Sequence, residues 1–99
     1  MLTITKKAEG RHLWLALKGR LDTTTAPQLD AALAGALDDV DALTLDFSGL
    51  EYLSSSGLRV LLSAQRTMNR QGSMKITHVN EAIQEILDIT GFSEILTLE

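Results

Sequence analysis

Two hydrophobic periods alternate along this chain, and their order restricts the fold more than any other feature. Leu13, Leu15 and Leu17 alternate with His12, Trp14, Ala16 and Lys18, the two-residue period of a strand with one buried face. Leu2 and Ile4 open a shorter strand, and Ala8-Glu9-Gly10-Arg11 reads as the turn of an antiparallel hairpin. Ala26, Leu29, Leu33, Ala36 and Leu37 then recur at helical spacing. Thr25 is placed to cap that helix, Gln28 to close a capping box, and Pro27 fits a first turn. Leu43, Leu45 and Phe47 return to the period of two.

A second helix is expected from about Ser55 to Arg70, with Leu58, Leu61, Leu62 and Met68 on its apolar stripe, widened by Val60 and Ala64. Met74, Ile76 and Val79 mark a fourth strand. Asn80 is a suitable cap for a third helix carrying Ile83, Ile86 and Leu87. Gly91 suits the left-handed position at its end, with Phe92 folding back on Leu87. Ile95, Leu96 and Leu98 predict a short last strand.

Strands alternating with helices imply parallel neighbours and right-handed crossovers. Strands that alternate apolar and polar residues, instead of being apolar throughout, imply a sheet covered on one face. The expectation is an α/β fold: a mixed, mostly parallel sheet of four to five strands, with three to four helices mainly on one face. At 99 residues, with no repeat, linker or break in composition, the chain reads as one domain, 1–99.

Composition narrows the function. Nine Lys and Arg against thirteen Asp and Glu give a net charge of −4, a poor field for a phosphate backbone, so no nucleic acid is expected as partner. Without cysteine there is no disulfide, thiol chemistry or Cys-based zinc site, which fits a reducing compartment. No apolar run approaches the 18 or so residues of a membrane span, and no signal-peptide h-region opens the chain. The expected setting is cytoplasmic, with no direct membrane insertion.

Three polar clusters follow strands that lead into helices: Asp22 with Thr23, Thr24 and Thr25; Asp46 with Ser48; and Ser54-Ser55-Ser56. Sites in parallel α/β sheets form at the carboxyl ends of strands, so the three are expected to converge. Ser, Thr and Asp are also ordinary turn and capping residues, and each cluster has that simpler reading. Leu53 and Leu58 fit a hydrophobic staple around an N-cap at Ser54, which puts Ser55 and Ser56 in the first helical turn. A phosphate added there meets free backbone N–H groups and the positive end of the helix dipole. Between Ser55 and Ser56 the helical wheel slightly favours Ser56, nearer the polar face.

No catalytic pattern stands out. The serines lack a G-x-S-x-G elbow, and His12 and His78 read as ordinary sheet residues. Asp22 and Asp46 have no metal-ligand companions, and Gly49 and Gly57 match no phosphate-binding fingerprint. Neither enzymatic activity, cofactor nor metal is expected. Arg59, Arg66 and Arg70 fall along one polar side of the second helix, either as a solvated face or as a stripe that steers an acidic partner.

The stretch Leu45-Asp46-Phe47-Ser48-Gly49-Leu50-Glu51-Tyr52-Leu53-Ser54-Ser55-Ser56-Gly57-Leu58 resembles the core motif of the STAS domains, the sulfate transporter and anti-sigma-factor antagonist family. The resemblance extends to Gly19-Arg20-Leu21-Asp22 and to Ile86-Leu87-Asp88-Ile89-Thr90-Gly91-Phe92, in order along nearly the whole chain. It implies a free-standing bacterial anti-sigma-factor antagonist working by partner switching. Its partners would be an anti-sigma factor that is also a serine kinase, and a serine phosphatase. Ser55 matches the phosphoacceptor, with Asp22, Thr23, Ser48, Ser54, Ser56, Gly57 and Arg59 as candidates for partner binding. The family usually has Asp immediately before the acceptor, where this chain has Ser54. Serine keeps the capping role and loses the charge. The resemblance also admits a second reading, a non-phosphorylated STAS subunit of a membrane-associated lipid transport complex.

Overall fold

The computed structural model describes residues 1–99. Its elements are β1 (Leu2–Glu9), β2 (His12–Leu21), α1 (Ala26–Leu33), β3 (Ala42–Leu53), α2 (Ser55–Gln71), β4 (Ser73–Thr77), α3 (Glu81–Thr90) and a 3-10 turn at Phe92–Glu94. The four strands form one sheet in the order β1-β2-β3-β4. The first pair is the expected antiparallel hairpin, and β3 runs parallel to both β2 and β4.

Register divides the sheet into two unlike faces. Leu13 and Leu15 of β2 lie beside Leu43 and Leu45 of β3, which lie beside Met74 and Ile76 of β4. All six are buried, and they belong to one apolar cluster that includes Leu29 of α1, Leu61 and Met68 of α2, and Ile83 and Leu87 of α3. Phe47 is the one fully buried aromatic in this leucine-rich core. The opposite face carries His12, Trp14, Ala16, Asp46, Lys75 and Thr77, all half-buried. There the His12 ring stacks on Trp14, Lys7 sits over the same indole at 5.5 Å, and His12 Nε2 meets Thr44 Oγ1 at 2.8 Å.

The structure corrects four details of the sequence reading. First, β3 does not stop at Phe47 but continues to Leu53. Irregularities opposite Ala16–Lys18 and Gly19–Arg20 insert extra residues, so the buried positions become Phe47, Leu50 and Leu53 and lose the strand period. Second, α1 ends at Leu33, since Ala34 is extended and Gly35 takes a left-handed φ of 75°. Leu37 is buried from the turn that follows. Third, the last apolar residues form no strand; Leu98 makes a single parallel bridge to Ile76. Fourth, Thr25 and Gln28 form no capping box. Thr25 makes no side-chain cap, and the Gln28 amide donates to the Leu2 carbonyl.

The other two helix starts follow expectation. The Ser54 hydroxyl accepts from Gly57 N–H, and the Asn80 side chain accepts from Ile83 N–H at 2.9 Å. The Asn80 amide also donates to Leu50 O at 2.8 Å, tying α3 to the stretch of β3 that β4 no longer covers. Gly91 takes the left-handed conformation at the end of α3, with φ 80°.

Candidate functional site

The site forms where β2 and β3 end together. Leu21 pairs with Leu53, and the next residue, Ser54, donates its N–H to Leu21 O at 2.9 Å. One residue therefore separates the strand from α2, and the loop after β2 lies beside the first turn of that helix. Thr23 Oγ1 and Ser56 Oγ are 3.3 Å apart across the junction.

Asp22 organises its own loop. Its carboxylate accepts from the Thr24 hydroxyl at 2.7 Å and from the N–H groups of Thr24 and Thr25 at 3.0 and 3.1 Å. Thr25 is turned inward, its hydroxyl donating to Arg20 O at 2.8 Å and accepting from Asp22 N–H. The Thr24 hydroxyl, above all, and then the donors of Thr25 lower the Asp22 pKa from 3.8 to about 2, against a smaller opposing effect of desolvation. A depressed carboxylate pKa adds stability that is complete above the ordinary value and disappears as pH falls through the folded one. The stability advantage of wild type over Asp22→Asn is thus expected to be constant near neutrality and to shrink between about pH 4 and pH 2. Urea unfolding of both proteins across that range checks it; a difference unchanged at the acid end would refute it.

The three serines are in three different states. Ser54 is the N-cap, occupied by Gly57 N–H at 3.4 Å. Ser56 is half-buried and engaged with Thr23. Ser55 is exposed, and its hydroxyl has no partner. This distinction was invisible to the helical wheel, which ranked Ser56 first, because the contact with Thr23 comes from a residue 33 positions away.

Gly57 fixes how closely the site approaches the sheet. A Cβ there would lie 2.6 Å from Leu21 Cγ and 2.9 Å from Leu53 Cδ1. Arg59 is exposed one turn on, beside an open cleft of about 300 Å³ lined by Thr23, Pro27, Asp30, Ser56 and Val60. Arg66 and Arg70 are exposed further along α2, and none of the three arginines forms an ion pair.

Ser48 does not join this group. The expectation that Asp22, Ser48 and Ser55 converge assumed that β3 ends near Asp46. Because the strand continues, Ser48 stands five residues before Leu53, roughly 16 Å at strand rise. It lies instead near the end of β4, where Asp46 pairs with Thr77. Here Asp46 accepts from Ser48 N–H at 2.9 Å and meets His78 Nδ1 at 3.1 Å. The Ser48 N–H, more than the Ser48 hydroxyl and His78, lowers the Asp46 pKa. His78 is no sheet residue: it follows β4, exposed, at a left-handed φ of 58°. No sequence signal joins Asp46 to a histidine 32 residues away.

The fold and the site define a small α/β domain with a one-faced sheet, whose loops and helix start present hydroxyls, a carboxylate of lowered pKa and unpaired arginines. The chain belongs to the STAS family: the family model described as "Mlab, STAS domain" matches residues 4–98. A Bordetella bronchiseptica protein named as an anti-sigma factor antagonist, BtrV, is 36% identical over 81 residues, covering 80% of this chain and 70% of that protein. The anti-sigma-B factor antagonist of Bacillus subtilis is 24% identical over 98 residues, covering 98% of this chain and 90% of its own. The crystal structure of an anti-sigma factor antagonist from Mycobacterium paratuberculosis shares the fold, with a TM-score of 0.88 at 23% identity, over 99% of this chain and 85% of that one.

Proposed function

We propose that this protein is an anti-sigma-factor antagonist that binds an anti-sigma factor with serine kinase activity and is released when Ser55 is phosphorylated. The observation that carries the reading is the isolation of Ser55: an exposed, unengaged hydroxyl at the first position of α2, between two serines whose hydroxyls are occupied. Its relatives of similar length named as antagonists support the same role. A phosphate there would sit against the first-turn N–H groups, with Arg59 four residues on, so the domain has no reason to unfold. The partner surface would comprise Asp22, Thr23, Ser54, Ser56, Gly57 and the exposed side of α2. Ser48 would be outside it. A serine phosphatase would restore the binding form.

Arg59→Glu reverses an unpaired charge one turn from Ser55. It is expected to slow association with the partner kinase, most at low ionic strength, with dissociation little changed. Stopped-flow or surface-plasmon kinetics over a salt series reads this, and association as fast as wild type at low salt would reduce the arginine to a solvated residue. A second reading is favoured by Ser54 in place of the family's Asp and by the Mlab description of the matching family model. In it, the same surface is a fixed, non-phosphorylated contact of a membrane-associated lipid transport complex. Stable co-purification with transport subunits, and no phosphate taken up from the kinase, would select it.

A further inference from the structure

Charge in this chain is segregated in blocks. From Asp22 to Glu51 every charged residue is acidic, from Arg59 to Lys75 every one is basic, and from Glu81 to Glu99 every one is acidic again. Folding turns two of these blocks into helix faces. On α2, Arg59, Ser63, Arg66 and Arg70 are exposed along one side. On α3, Glu81, Glu85 and Asp88 are exposed at the same i, i+4, i+7 spacing. The ion pairs of the molecule join Arg11 to Asp41, Arg20 to Asp22 and Lys75 to Glu99, and Asp46 is in contact with His78, so both rows are left without a counter-charge. The acidic row is also partly apolar: Ile89 is 78% exposed, and Val79 and Ile89 line an open cleft of about 390 Å³ together with the three acids.

We infer that the protein self-associates head to tail, the arginine row of α2 docking on the acidic, partly apolar face of α3 in a second copy. Matched spacing carries the choice of occupant. Residues seven apart on each helix rise by about 10.5 Å, so Arg59 and Arg66 span the same length as Glu81 and Asp88. Two charge pairs then form at once, while Ile89 loses water. Because the two faces differ, an associated pair keeps one free face of each kind, one on each copy, so the contact can add further copies. Exposed ion pairs are individually weak, so the assembly is concentration-dependent and salt-sensitive. The same α2 face belongs to the proposed partner surface; on that reading, self-association and kinase binding exclude each other.

Sedimentation velocity and equilibrium on the full chain test this. Wild type at low salt is expected to rise above its monomer mass of 10.8 kDa as concentration increases, and to return to it at high salt. Arg59→Glu with Arg66→Glu, and separately Glu81→Arg with Asp88→Arg, should each weaken self-association at least tenfold, with circular dichroism reporting an intact fold. The decisive arm is an equimolar mixture of these two variants. Each then meets complementary faces only on the other, and association should return. Wild type that stays monomeric at low salt up to about 1 mM, the affinity scale of a weak contact, would overturn the inference. So would undiminished association of either variant, or a mixture that remains monomeric. These measurements need no kinase, so their failure leaves the antagonist reading standing, and loss of kinase binding leaves self-association standing.

Discussion

Ser55→Ala is expected to bind the partner kinase and take up no phosphate, while wild type incubated with the same kinase and ATP is modified at Ser55 alone. The geometry separates the candidates. The Ser54 oxygen accepts from Gly57 N–H and the Ser56 oxygen lies 3.3 Å from Thr23 Oγ1, whereas the Ser55 hydroxyl has no partner within the protein. Ser55→Asp should remain folded, because an anion suits the start of a helix. It should bind the kinase at least tenfold more weakly, about 1.4 kcal/mol, because on the proposed partner surface the added charge must be desolvated or paired. Mass spectrometry locates the phosphate and titration calorimetry gives the affinities. Modification of Ser56 in an intact Ser55→Ala variant would end the assignment, and tight binding by the phosphorylated form would end the switch.

Gly57→Ala should lower stability by about 1–3 kcal/mol, although alanine is the better helix former by about 1 kcal/mol. The sign follows from the contacts. The added methyl would lie 2.6 Å from Leu21 Cγ and 2.9 Å from Leu53 Cδ1. Both leucines are at most 2% exposed, so neither can swing into solvent. The helix start must lift from the sheet, or the strand ends must part. Gly57→Val should cost more. Urea denaturation with an unchanged m-value would report this as a stability effect. A midpoint raised by Gly57→Ala would show that the close approach of α2 to the strand ends is absent.

The sequence by itself determined the element order as far as α3, the sheet's one-sidedness and the start of α2. Each is a local matter of period and capping: Leu13-Leu15-Leu17 fixes a face, and Leu53-Ser54 followed by Leu58 fixes a helix N-terminus. Periodicity failed where the backbone left its regular path. The irregular register of β3 hid half of that strand, and with it the separation of Ser48 from the ends of β2 and β3. The capping box at Thr25 and Gln28 was a sound local pattern that longer-range partners, Arg20 O and Leu2 O, outcompeted. Only the tertiary structure gives the three serines different surroundings. Ser56 is held by Thr23 across a junction that exists because the Ser54 N–H reaches Leu21 O, and no spacing along a chain encodes a contact between the ends of two parallel strands.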